Sequence, residues 1–183
     1  MRLGERVDLA VVVAAFLHAE LDSDRFGAEL RAALARAGAD ETLVTAADLD
    51  DRAANERRRT VLGDYRGDYL GTVLDDLSWR RAELEPREVL EIHFIAWDYW
   101  LDITGGSRLP GDAAARWRAE GERPTHPRVA GPLIVVRAGP GERLVVVEGH
   151  VRLTALAMSP ETIPVDVEIL LGEGESVRRW GNY

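Results

Sequence analysis

Apolar positions follow two different rhythms along the chain, and the change falls near residue 102. Before it, apolar residues recur every three or four positions with few β-branched runs, which predicts a helical N-terminal half. Val7 to Leu21 reads as one helix. Ser23 caps a second that ends at Gly38, and Thr45 followed by Asp48 has the spacing of a capping box for a third, running to about Arg66 and broken by Gly67. Asp68 to Trp79 and Pro86 to Leu101 complete the set, the latter with a proline in its first turn. Beyond residue 102, Gly105-Gly106 and Pro110-Gly111 punctuate the chain, and Asp112 caps a short helix through Glu120. Gly121 to Pro132, with Pro124 and Pro127, reads as an ordered loop. After it come strand-like runs at Pro132–Arg137, Val145–Val147 and Ile163–Val167. The expected architecture is α+β: a helical region, residues 1–101, packed on a small mixed-sheet domain, residues 102–183.

The richest stretch is Leu144 to Ala157. A β-branched run, Val145-Val146-Val147, leads through Glu148-Gly149-His150 into apolar residues spaced as a short helix, so the chain reads strand, turn, helix. A glycine at such a bend permits close approach of a ligand, and the free N–H groups and positive dipole end of the helix favour an anion. Arg152, in the first turn, adds a guanidinium suited to phosphate or carboxylate. Glu148 could hold Mg2+ or act as a general base beside a bound phosphate; its structural alternative is to offset the helix dipole or pair with Arg152. His150 could donate to a phosphate or shuttle a proton near neutral pH, or serve structure alone. Thr154 presents its hydroxyl to the bend or lies on the helix surface. The expected phosphate-binding set is therefore Gly149, His150, Val151, Arg152 and Thr154, with Glu148 and His150 as catalytic candidates and Glu148 as the metal ligand.

The spacing Gly149-x-x-Arg152-x-x-Ala155 resembles the phosphate-binding signature of the ParB/sulfiredoxin superfamily, in which a glycine, an arginine and an alanine join a strand to a helix. Its flanks occur in family order. Pro132-Leu133-Ile134-Val135-Val136-Arg137 resembles the family's P-I-V-V-R strand, Gly139-Pro140-Gly141-Glu142 the following hairpin, and Ile163-Pro164-Val165-Asp166-Val167 the strand after the motif helix. The resemblance covers roughly Asp102 to Leu171. It implies a ParB N-terminal-like domain that binds a cytidine or adenine nucleotide with magnesium. It also implies that an arginine before the first short helix approaches the nucleotide. Arg108 occupies that place, and Gly105-Gly106-Ser107 could add anion-binding amides; a plain turn with an exposed arginine is the alternative. His150 stands where sulfiredoxin-type sequences carry cysteine, so thiol chemistry of that kind is excluded.

Composition narrows the picture. The 183 residues suffice for a real core. There is no cysteine, which removes disulfides and thiolate metal sites, and all 23 basic residues are arginine, which removes a P-loop lysine and points to a GC-rich, bacterial genome. The apolar run Leu9 to Leu17 falls short of the ~18–20 residues of a membrane span and lacks the flanks of a signal peptide, so a cytoplasmic protein is expected. A net charge of -9 argues against DNA as the main partner, as does the short chain after the motif. Arg57-Arg58-Arg59, Arg80-Arg81 and Arg178-Arg179 read as solvated helix faces with intrahelical pairs. Trp97, Tyr99 and Trp100 with His93 and Phe94 are read as core packing, with a base-stacking platform as the alternative. His18, His93 and His126 show no metal-ligand spacing. The expected function is nucleotide binding, with hydrolysis or phosphoryl transfer as its catalytic form. The alternative is a non-catalytic phosphate-sensing module that meets a protein partner.

Overall fold

A computed structural model describes residues 1–70, 73–121 and 131–183. The fold is α+β, with eight α-helices and one five-stranded mixed sheet among the described residues. The expected boundary near residue 102 is not where the chain divides. One compact unit is Val7–Asp76, and the other joins Met1–Arg6 to Leu77–Tyr183.

The first unit holds α1 (Leu9–Leu21), α2 (Gly27–Arg36), α3 (Thr42–Thr45) and α4 (Arg52–Leu70). Asp8 starts α1 by accepting the Ala10 N–H at 2.8 Å, and Val12, Val13, Phe16 and Leu17 are buried, as are Leu30, Leu34, Val61 and Leu62. The expected capping box does not form. Thr45 ends α3, and Asp51 starts α4 instead, its carboxylate accepting the Ala54 N–H at 3.0 Å. Nor does Gly67 break α4, which continues to Leu70. Arg58, expected on a solvated face, is buried: its guanidinium closes the preceding loop by donating to the carbonyls of Leu43 (2.7 Å) and Asp48 (2.9 Å) and to Asn55 Oδ1.

In the second unit the sheet runs β1-β2-β5-β3-β4, with β1 (Arg2–Arg6), β2 (Ser78–Leu84), β3 (Leu133–Arg137), β4 (Val145–Glu148) and β5 (Val167–Glu173). All pairings are antiparallel except β3 with β5. Two helix expectations fail here. The segment expected to be helical from Asp68 to Trp79 ends in β2, whose Trp79, Ala82 and Leu84 are buried while its arginines make cross-strand ion pairs, Arg81 with Glu168 and Glu5, Arg80 with Glu173. Charges that suit a helix face suit a strand flanked by acidic neighbours equally well. Trp79 lies over Gly172 of β5, where a Cβ would meet the indole at 2.7 Å. The helix expected over Pro86–Leu101 is two short ones, α5 (Pro86–Leu90) and α6 (Asp98–Ile103), because between them His93 leaves the helix to bridge β4: its N–H donates to Leu144 O (2.8 Å) and its carbonyl accepts from Val146 N (2.9 Å). α7 (Pro110–Glu120) and α8 (His150–Met158) pack together. Arg118 of α7 caps the end of α8 through the carbonyls of Ala157 (3.1 Å) and Met158 (2.7 Å). The third expected strand lies later than Ile163–Val167, beginning at Val167 after a 3-10 turn at Pro160–Thr162. His126 and the core of the Pro-rich loop lie outside the described residues.

Candidate functional site

The bend between β4 and α8 is built as a strand that stops, one residue in the left-handed region, and a helix that starts. Gly149 has φ +104, and a Cβ there would meet Leu133 Cδ2 at 2.4 Å and Arg152 Nη2 at 3.2 Å. Glycine is thus required by the protein's own packing: the space that a ligand was expected to use is filled by Leu133 and by the guanidinium folded back over the turn. Leu153 N–H makes the first intrahelical bond, to Gly149 O at 2.8 Å. The amides of His150, Val151 and Arg152, at the positive end of α8, meet no acceptor among the described residues. The Gly149 amide is taken by the carboxylate of Glu148.

Arg152 bonds Glu148 Oε1 at 3.3 Å and the carbonyl of Gly131, and both charged side chains are largely buried. The pairing weighed as the structural alternative for Glu148 is therefore present, and it sits at the bend. An incoming phosphate would find the guanidinium close to the open amides but shared with a carboxylate.

His150 begins α8 with its ring nearly parallel to Trp100 (centroids 5.3 Å apart, 17° between planes) and Phe94 (6.0 Å, 13°); Phe94 and Trp100 stack at 4.1 Å. Its Nε2 is buried without a hydrogen-bond partner. Burial first, and the positive charge of Arg152 second, push its pKa down to about 3. The imidazole is therefore held neutral, which favours the structural role over a proton shuttle near neutrality. Thr154 neither faces the bend nor lies on the surface: it is fully buried and its hydroxyl donates to His150 O at 3.0 Å.

Ser107 and Arg108 are engaged elsewhere. The Gly105, Gly106 and Ser107 amides all donate back into the end of α6, to the carbonyls of Asp102, Leu101 and Thr104, and offer nothing to an anion. Ser107 Oγ donates to Asp112 Oδ2 at 2.5 Å and accepts the Leu109 N–H at 3.2 Å, so Ser107, with Asp112, organises the start of α7. Arg108 is buried, not exposed, and binds the carbonyls of Phe94 (2.6 Å), Tyr183 (3.0 Å) and Asn182 (3.3 Å). Sequence reasoning also missed how the aromatic group divides. Phe94 and Trp100 are buried, while Trp97 and Tyr99 are 52% and 46% exposed, as is Val151 (50%) in the first turn of α8. Three aromatics within four positions could not all face one core, and that was the available signal.

Among the described residues no three His, Asp or Glu side chains gather as a metal cage. Glu148 is the carboxylate at the bend, and one carboxylate suits Mg2+ only together with ligand phosphate oxygens and water. No helix among the described residues is long and apolar enough to cross a membrane.

No protein-family model, curated protein or solved structure matches this chain. Its site must be read from its own geometry.

Proposed function

We propose that the chain is a nucleotide-binding protein of ParB/sulfiredoxin-like type that seats the phosphates of its ligand on the first turn of α8. The observation that carries this reading is the conjunction of three amides with no acceptor among the described residues, at His150, Val151 and Arg152, with a guanidinium already drawn over the same turn. Binding exchanges Arg152 from Glu148 to phosphate, and a cation between the carboxylate and the ligand would offset their repulsion. Magnesium carried in with the nucleotide, held by Glu148 and the phosphate oxygens, would supply that neutralisation.

Binding without turnover fits the arrangement better than catalysis. His150 is neutral with its Nε2 buried, and both Glu148 oxygens accept hydrogen bonds. A magnesium-dependent hydrolase or phosphotransferase is the second reading, favoured by the position of Glu148 beside the open amides. In the module reading the ligand state is reported to a protein partner. DNA remains the least favoured ligand on charge alone.

A thermal-shift screen of nucleoside di- and triphosphates, with and without Mg2+, tests the proposal. A ligand at a hundredfold its Kd adds about 2.7 kcal/mol to stability. Stabilisation that vanishes in Arg152→Ala and becomes less dependent on magnesium in Glu148→Gln supports the reading; no stabilisation by any nucleotide or by pyrophosphate defeats it. Phosphate release by the wild type that is lost in Glu148→Gln would move the conclusion to the enzyme.

A further inference from the structure

Arg108 is the one non-glycine residue with positive φ among the described residues, at +63. A side chain in that region is disfavoured and persists where its surroundings over-determine it. The surroundings are specific. Arg108 holds Phe94 at both ends, accepting the Phe94 N–H on its own carbonyl (2.8 Å) and donating Nε to Phe94 O (2.6 Å). Its remaining nitrogens reach Tyr183 O and Asn182 O, and Asn182 O also accepts the Ala96 N–H at 2.9 Å. Tyr183 is fixed in turn: its hydroxyl donates to Arg143 O (3.2 Å) and accepts the Ala138 N–H (3.4 Å), while the Arg143 guanidinium lies 4.8 Å from its ring centre. On the other side of the same segment, Phe94 and Trp100 stack on each other and both face the ring of His150, the first residue of α8.

We infer that Asn182 and Tyr183 form a latch on the anion-binding bend, with Arg108 as the positioning residue that transmits it. The latch fixes the Phe94–Ala96 backbone, the backbone fixes the aromatic wall, and the wall fixes the His150 ring and with it the opening turn of α8. With the latch released, the wall loosens, water reaches His150 and the first turn frays, so the three open amides lose their common aim. The importance of the latch for ligand binding rests on the nucleotide reading above; its existence does not.

The experiment needs no ligand. Arg108→Gly removes the guanidinium while keeping a residue at ease at φ +63, and deletion of Asn182 and Tyr183 removes the other half of the contact and serves if the first variant does not fold. Hydrogen exchange of the Leu153 amide, compared with Val135 in the core of the sheet, is followed by NMR. In either variant we expect Leu153 protection to fall by about tenfold or more while Val135 keeps its own. Leu153 protection that stays at the wild-type value, or that changes only in step with Val135, would reduce Arg108 and the latch to general stability and overturn the inference.

Discussion

Two helix ends of this chain pair glycine with arginine three residues on, Gly105 to Arg108 and Gly149 to Arg152, and they end in opposite conditions. The first stands at the end of α6, where unpaired carbonyls draw the glycine amides back into the helix. The second stands at the start of α8, where the amides of the first turn meet no carbonyl among the described residues. One guanidinium is buried against three main-chain carbonyls; the other shares a carboxylate beside open donors. The Gly-x-x-Arg spacing is the same, and the end of the helix on which it falls decides whether an anion has anything to bind.

Glycine substitutions separate the two most sharply. Gly149→Ala meets Leu133 and keeps φ +104, so we expect a loss of about 3 kcal/mol or more by urea denaturation. Gly105→Ala, at φ +58 with nothing within 4 Å of the added carbon, should cost about 1–2 kcal/mol. Equal losses would mean that the bend is not packed as described.

The arginines should divide by what they affect. Arg108→Ala removes the guanidinium from the Phe94, Asn182 and Tyr183 carbonyls, of which Asn182 O keeps the Ala96 N–H and Tyr183 O keeps Arg143, and should lower stability by about 2–3 kcal/mol. Arg152→Ala breaks a largely buried i,i+4 pair and one carbonyl bond, about 3 kcal/mol of stability, and should also weaken nucleotide binding by about tenfold to a hundredfold by calorimetry. A nucleotide affinity that survives Arg152→Ala would break the contrast.

His150 sharpens it through pH. Its folded pKa, about 3, lies below the unfolded value near 6.5, so between those limits the unfolded chain binds the extra proton. Stability attributable to this group is complete above pH 6.5 and is lost as pH falls toward 3, by at most about 1.4 kcal/mol per unit. We expect His150→Gln to flatten the stability profile between pH 6.5 and 5, above the range where most carboxylates titrate. A variant with the wild-type slope would show that the ring is already hydrated. The smallest effect belongs to Ser107→Ala, about 0.5–1 kcal/mol with no change in nucleotide affinity, since that hydroxyl serves only Asp112 and the Leu109 amide.

What could be read from the chain follows the range of the interactions involved. The β3 and β4 runs, the bend and α8 were legible because β-branched residues, a glycine and helical spacing occur within a few positions of one another. β1, exposed along its whole length, carries no alternation and exists through its pairing with β2. β2 itself reads as helix because Arg80, Arg81 and Glu83 find their partners on strands distant in sequence. At the bend, the place of Arg152 in the first turn of α8 is legible from spacing alone. The true role of Arg108 is not, since its partners lie 14 residues before it and more than 70 after it.

The account stands on the opening turn of α8 being a seat for phosphate. The most direct measurement is a titration of the isotopically labelled protein with pyrophosphate and then with nucleoside triphosphates, following every backbone amide by NMR. The amides of His150, Val151 and Arg152 should show the largest saturable shifts, with Gly105 to Arg108 still. Saturable shifts centred on any other surface, or none at residues 150 to 152 at millimolar ligand, would contradict it.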